Sequence, residues 1–114
     1  MQTDFRVEMH NEGRATVVGV TGELDLASSP ALEQQLDQFY ASDGEVLVID
    51  LRGLEFMDST GLSVIVSAHQ RLIDAGRRLI ITRGPPQVQR LLDLTGVAER
   101  LELVDTPGQV LTGG

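Results

Sequence analysis

Asp58-Ser59-Thr60-Gly61-Leu62 is the stretch that decides the fold, because a strand pattern ends there and a helical pattern begins. Upstream, residues 45–57 read E-V-L-V-I-D-L-R-G-L-E-F-M, an apolar run typical of a strand covered on both faces. Downstream, apolar residues recur at helical spacing until a stop at Ala75-Gly76, and they are Leu62, Ile65, Val66, Leu72 and Ile73. Ser59 is therefore expected where the first N–H groups of a helix lack internal partners.

Length and charge limit the function. A chain of 114 residues is expected to form one domain. It has no cysteine, which excludes disulfides and thiolate metal sites, and its net charge of −8 disfavours nucleic acid and anionic membranes as partners. No apolar run approaches the roughly 18 residues that span a bilayer, and no signal segment begins the chain, so a cytoplasmic location is expected.

The remaining patterns predict a single α/β domain over residues 4–105, followed by a flexible tail at 106–114. Helices that alternate with strands imply a mixed, mostly parallel sheet of about five strands, with an N-terminal hairpin and three to four flanking helices. The predicted strands are 5–10, 14–20, 45–57, 77–82 and part of 98–104. The predicted helices are 30–41, with a capping hydroxyl from Ser28-Ser29, then the helix from Ser59, and 87–94.

Three loops are expected to gather at the carboxyl ends of the strands, where ligands and partners usually bind in such sheets. They are residues 22–26, 58–61 and 83–86. Glu23, Asp25 and Asp58 lie in these loops and leave a hard-cation site conceivable, but solvated carboxylates are the commoner outcome, and no metal is predicted.

The sequence around Ser59 does not favour a catalytic role for this serine. His69 follows ten residues later, about 15 Å along one helix, and cannot serve as its base. On the apolar side of its helix, His69 is expected to be a satisfied core histidine. Neither a nucleophile elbow nor a glycine-rich nucleotide loop is present, so no catalytic residue and no cofactor are predicted.

The helix that begins at Ser59 has one polar face. At 100° per residue, Ser63, Ser67, Gln70 and Asp74 fall within a stripe about 80° wide beside Ser59. This ridge of small polar residues is expected to be exposed, with Leu62 and Ile73 among the inward residues. A second protein could lie along it.

Three roles remain open for the hydroxyls at this helix start: capping, anion binding, or accepting a phosphoryl group. The local pattern alone favours capping, which contributes about 1 kcal/mol. A phosphate on Ser59 would add about −1.5 to −2 charge, and free helix N–H groups could hold it. A partner lying on the ridge would then have to bury a dianion, so phosphorylation could release that partner without unfolding the domain.

Three sequence pieces, in this order and spacing, resemble the STAS domain family, and most of all its bacterial anti-sigma factor antagonists. They are T-G-E-L-D at 21–25, F-M-D-S-T-G-L at 56–62 and P-Q-V-Q-R-L-L-D-L-T-G at 86–96. The resemblance covers about residues 5–104. It implies a regulatory protein, not an enzyme, whose unphosphorylated form binds an anti-sigma factor that is itself a serine kinase, and so releases a sigma factor.

By the same resemblance, Ser59 is the serine that the kinase phosphorylates, Asp58 is the acidic residue before it, and a metal-dependent serine phosphatase reverses the step. Thr60 is a rival acceptor. The predicted partner-binding residues are Glu23, Asp25, Asp58, Ser59, Thr60, Gly61, Ser63 and Ser67. A monomer is the simplest expectation. Two alternatives stay open: an accessory STAS scaffold subunit without a phosphorylation cycle, and a small-ligand or nucleotide-binding domain.

Overall fold

A computed structural model describes residues 5–109. Its strands are β1 (Arg6–Glu12), β2 (Ala15–Leu24), β3 (Val46–Met57), β4 (Arg78–Thr82) and β5 (Glu102–Val104). Its helices are α1 (Ser29–Tyr40), α2 (Ser59–Asp74) and α3 (Pro86–Leu94), with a 3₁₀ turn at Val97–Glu99. The expected five-stranded mixed sheet with an N-terminal hairpin and three helices is confirmed.

The strands follow their chain order across the sheet, β1-β2-β3-β4-β5. β1 is antiparallel to β2, and the other neighbours are parallel. Because each parallel strand lies directly beside the previous one, crossovers of one hand bring all the connecting helices to one face. The main core accordingly contains residues from all three helices, including Leu36, Ile65 and Leu92.

Two strands are longer than the sequence indicates. β2 continues to Leu24, so the loop predicted over 22–26 is wrong as far as Leu24. This segment pairs with β3 as far as Met57, with register irregularities between Gly19 and Glu23. β1 continues to Glu12, and its hairpin loop is Gly13-Arg14, where Gly13 has φ 58°. Pairing with a neighbouring strand extends both elements across residues of weak strand propensity.

The helix starts also differ in detail. Ser28 lies at the N-cap of α1, but its hydroxyl donates to the carbonyl of Glu23 and accepts from the N–H of Asp25, so it does not cap the helix. In α2 the buried arc is centred on Ile65 and Leu72, and Ile73, about 80–100° from them at 100° per residue, is half exposed. The prediction that Ile73 faces inward is therefore wrong.

His69 is half-buried and makes no hydrogen bond to any residue in 5–109, so the expectation of a satisfied core histidine is also wrong. It borders a small depression between α2 and the 3₁₀ turn, with Val97 and Leu101 on the other side. Its position on the flank of the apolar arc explains the partial burial.

A network of polar hydrogen bonds joins β3 to the end of β4. The hydroxyl of Thr82 is fully buried; it accepts from the N–H of Leu51 at 2.8 Å and donates to Asp50 Oδ1 at 3.1 Å. Burial alone would raise the pKa of Asp50, but hydrogen bonds from the side chain and backbone of Arg52, and from Thr82, outweigh it, so this pKa lies below its usual range.

The chain after β5 is described as far as Gln109. Its side-chain oxygen accepts from the N–H of Asp105, and a helical turn begins at Gly108. Residues 110–114 of the predicted flexible tail lie outside the described residues, and the flexibility of 106–114 stays a prediction. Within residues 5–109, no helix is both long enough and apolar enough to cross a membrane.

Candidate functional site

The candidate site forms where β2 and β3 end together. The N–H of Asp58 donates to the carbonyl of Leu24 at 3.1 Å, which joins the turn after β2 to the start of α2. The pairing of Leu24 with Met57 brings the two ends level. Two of the three predicted loops therefore meet.

The third loop does not join them. β4 pairs with β3 only over Val46–Ile49, whereas β3 runs on to Met57. Residues 83–86 therefore lie beside the middle of β3, where a Cβ on Gly84 would stand 3.7 Å from that of Leu51. The expected gathering of three loops is therefore wrong for this loop. β3 continues for eight residues beyond Ile49, the last residue that pairs with β4.

Asp58 caps α2. Its Oδ1 accepts hydrogen bonds from the N–H of Thr60 at 2.8 Å and of Gly61 at 3.2 Å. Its extended backbone, with φ −102° and ψ −174°, has the N-cap geometry that lets a short carboxylate reach those amides. The capping interpretation is thus correct for Asp58, and the cap uses one carboxylate only.

Ser59 is left with an exposed side chain. Its hydroxyl makes no hydrogen bond within the described chain, since Asp58 satisfies the amides that a serine cap would have bound. Ser63 and Ser67 are exposed on the same face of α2, as the ridge predicted. The hydroxyl is thus accessible to a second protein, and its reaction would break no internal hydrogen bond.

Gly61 has a packing role. It is buried, and a Cβ there would lie 2.6 Å from Leu24 Cγ and 3.0 Å from Met57 Cγ. Only hydrogen fits at this distance, so Gly61 lets the first turn of α2 rest directly on the ends of β2 and β3. Gly61 is therefore a packing residue and presents no exposed surface to a partner.

Asp25 orders the turn after β2. Its Oδ1 accepts from the N–H groups of Ala27 and Ser28 at 3.0 and 3.1 Å, and from the Ser28 hydroxyl at 3.2 Å. Glu23 is half-buried at the end of β2. The turn held in this way presents Leu26, whose side chain is 75% exposed. Leu26 was not predicted, because an apolar loop residue has no periodic pattern.

A groove of about 300 Å³ runs between α1 and α2 beside the ridge. Residues of α2 that line it include Thr60, Ser63, Val64 and Ser67. The α1 side contributes Glu33, Asp37 and Tyr40, which could not be predicted because the sequence does not show how the two helices align.

The groove is mostly acidic. The chain has no Lys or Arg between Ala15 and Leu51, so every charged side chain that α1 supplies is a carboxylate. Arg71 closes the far end, with its guanidinium 4.0 Å from the centre of the Tyr40 ring. Burial raises the pKa of Tyr40, and Arg71 partly offsets this effect. Among residues 5–109, no three His, Asp or Glu side chains cluster as metal ligands.

Comparison with known proteins identifies the family of this chain. The STAS domain model matches residues 6–110. The anti-sigma F factor antagonist of Paenibacillus polymyxa is 30% identical over 110 residues, which cover 96% of this chain and 94% of that protein. The anti-sigma-B factor antagonist of Listeria monocytogenes is 32% identical over 91 residues, 80% of each chain.

A solved structure gives the same result. The anti-sigma factor antagonist from Mycobacterium paratuberculosis superposes with a TM-score of 0.88 at 29% identity, covering 96% of this chain and 93% of that one. Sequence and structure therefore agree over nearly the full length, and the chain belongs to the STAS domain family.

Proposed function

We propose that this chain is an anti-sigma factor antagonist whose affinity for its partner depends on the phosphorylation state of Ser59. Relatives named as such antagonists, at about 30% identity over most of the chain, support the class of function. One observation supports the site above all: Asp58 caps α2 and leaves the exposed Ser59 hydroxyl uncommitted within the described residues. In this proposal the unphosphorylated form binds an anti-sigma factor that is a serine kinase, and a sigma factor is released.

The proposed contact surface comprises Leu26, Ser59, Thr60, Ser63 and Ser67. The serines are small, so the backbone of a partner can approach the helix closely. Leu26 is an apolar side chain of the kind that a partner pocket can bury. Glu23, Asp25 and Asp58 contribute negative charge around this surface, and the last two also hold its backbone in place.

A phosphate on Ser59 would stand next to a carboxylate. Asp58 already occupies the N–H groups of Thr60 and Gly61, so the expectation that free helix amides hold the phosphate needs correction. The dianion would remain in water while the chain is alone. On binding, the complex would have to desolvate it beside Asp58, at a cost of several kcal/mol unless the partner supplies cations.

The proposed cycle treats the chain as a substrate. The Ser59 oxygen attacks the γ-phosphorus of ATP on the kinase, a new O–P bond forms, and the bond to the bridging oxygen breaks to release ADP. The hydroxyl proton passes to a base of the kinase. A metal-dependent phosphatase then directs water onto the phosphorus, which restores the hydroxyl and releases inorganic phosphate. The chain contributes no catalytic group or cofactor, and the cycle would run in the cytoplasm.

The test is a calorimetric titration of the anti-sigma factor from the same organism with three variants of the full chain. Ser59→Ala should bind within about threefold of the native chain, and Ser59→Asp at least about tenfold more weakly, which corresponds to 1.4 kcal/mol. Gln38→Glu is the matched control. It adds the same charge at an exposed position late in α1, near the β1–β2 hairpin and so at the other end of the strands from Ser59, and should leave the affinity unchanged.

Equal affinity of Ser59→Ala and Ser59→Asp would contradict the switch. Peptide mapping after incubation with kinase and ATP assigns the phosphate to Ser59 or to Thr60. A chain that stays bound to a membrane or multimeric partner whatever residue stands at position 59 would instead be an accessory STAS scaffold.

A further inference from the structure

The outer edge of β1 has no strand partner within residues 5–109. β1 is the first strand of the sheet and pairs only with β2. It is seven residues long, whereas β5 at the opposite edge has three. A long open edge presents unpaired N–H and C=O groups that a further strand can bind.

The hairpin loop indicates which backbone groups face outward. Gly13-Arg14 is a two-residue loop with positive φ at its first residue, so the flanking pair, Glu12 and Ala15, exchanges both hydrogen bonds. Hydrogen-bonded pairs then alternate along the antiparallel ladder. The outward N–H and C=O groups of β1 are therefore those of Val7, Met9 and Asn11.

The side chains on one face of β1 carry one cation, Arg6, and two carboxylates, Glu8 and Glu12. Arg6, Glu8, His10 and Glu12 are two residues apart, so they share one face of the sheet. If a second β1 pairs antiparallel with its two-fold axis at Met9, Arg6 lies opposite Glu12 of the second copy, and Glu8 lies opposite its His10. All seven residues pair in this register, and the three outward groups pair with one another.

Neighbouring registers are unfavourable. Moving the axis to Glu8 places the two copies of this carboxylate opposite each other. Moving the axis to His10 places Glu8 opposite Glu12 in both halves. Directly opposed like charges destabilise a sheet, whereas opposite charges stabilise it. The charge order of β1 thus selects one register, which is also the one with the greatest overlap.

We propose that two copies of this chain associate through their β1 strands, with the two-fold axis at Met9, to form a continuous ten-stranded sheet. The contact between His10 and Glu12 within one chain is exposed and can exchange for the contacts across the axis. The proposal replaces the expected monomer. It does not depend on Ser59, which lies beyond the far end of β3, so either proposal can fail without the other.

The test is sedimentation equilibrium of the full chain up to millimolar concentration, with charge reversals at one cross-strand pair. Arg6→Glu should weaken the dimer at least about tenfold, because two-fold symmetry converts two attractive pairs into repulsive ones. Glu12→Arg should do the same. The double variant carrying both changes should recover the native dissociation constant within about threefold, since the opposite charges face each other again.

Arg14→Glu is the matched control. It makes the same charge change at an exposed loop residue outside the paired register and should have no effect. Slowed amide exchange at Val7, Met9 and Asn11 in the native dimer would support the stated edge. A native chain that stays monomeric, a dimer that ignores Arg6→Glu, or a double variant that fails to recover association would each overturn the proposal.

Discussion

Removing the Asp58 carboxylate should lower the free energy of unfolding, because two N–H groups at the start of α2 lose their acceptor. Asp58 Oδ1 satisfies two N–H groups at 2.8 and 3.2 Å, and nothing else among the described residues bonds to them at that end of α2. Loss of such a cap costs about 1–2 kcal/mol. For a domain of this size, about 5 °C of melting temperature corresponds to each kcal/mol, so Asp58→Ala should melt about 5–10 °C lower.

The assays are thermal unfolding for the melting temperature and urea unfolding for the free energy, both followed by circular dichroism at neutral pH. Asp58→Asn keeps an acceptor oxygen and caps helices about as well as aspartate, so it should lie near the native chain. Asp43→Ala serves as the control, because Asp43 is exposed and makes no hydrogen bond within residues 5–109, and it should change stability by less than about 0.5 kcal/mol.

A second substitution tests the same geometry through charge. In the native chain, Ser59→Asp places a carboxylate beside Asp58, and the repulsion should offset the attraction of the helix N-terminus. In the Asp58→Asn background only that attraction remains, so Ser59→Asp should stabilise the domain by about 0.3–1 kcal/mol. If Asp58→Ala were as stable as the native chain, or if Ser59→Asp had the same effect in both backgrounds, the cap argument would be refuted.

Two further substitutions test the packing and the polar network. Gly61→Ala should cost about 1–3 kcal/mol in urea unfolding, because its Cβ would stand 2.6 Å from Leu24 Cγ; an unchanged midpoint would show that α2 can shift freely. Thr82→Val should cost about 1–3 kcal/mol, because it leaves the N–H of Leu51 buried without an acceptor. Since the pKa of Asp50 is lowered on folding, its contribution is present above its unfolded pKa and is lost as the pH falls through its folded pKa. Thr82→Val weakens that shift, so the variant should lose less stability than the native chain on acidification below about pH 4, and an equal loss would argue against the role of this hydroxyl.

Much of the fold could be predicted because its elements have strong local periodicity. The apolar run before Asp58 and the helical spacing after it place the strand-to-helix junction within a residue of where it lies. The ridge at Ser63 and Ser67 follows from the same angular count. The end of β2 could not be predicted in this way, because residues 21–24 become a strand only by pairing with the end of β3.

The candidate site could likewise be predicted only in part. Its position at the start of α2 follows from sequence, but the roles of its side chains do not. Asp, Ser and Thr are all good caps, and only the tertiary structure shows that Asp58 binds the amides while the Ser59 hydroxyl stays unbonded within the described residues. Likewise Gly61, expected at the partner surface, lies against Leu24 and Met57.

The order of elements, the single domain and the placement of Ser59 at a helix N-terminus were determined by the sequence itself, because strand and helix periods are properties of neighbouring residues. Only the tertiary structure decided how far β2 and β3 run together, which loops meet, and that Glu33 and Tyr40 of α1 face Thr60 across a groove. These features depend on contacts between segments far apart in the chain, and such contacts have no local pattern from which to predict them.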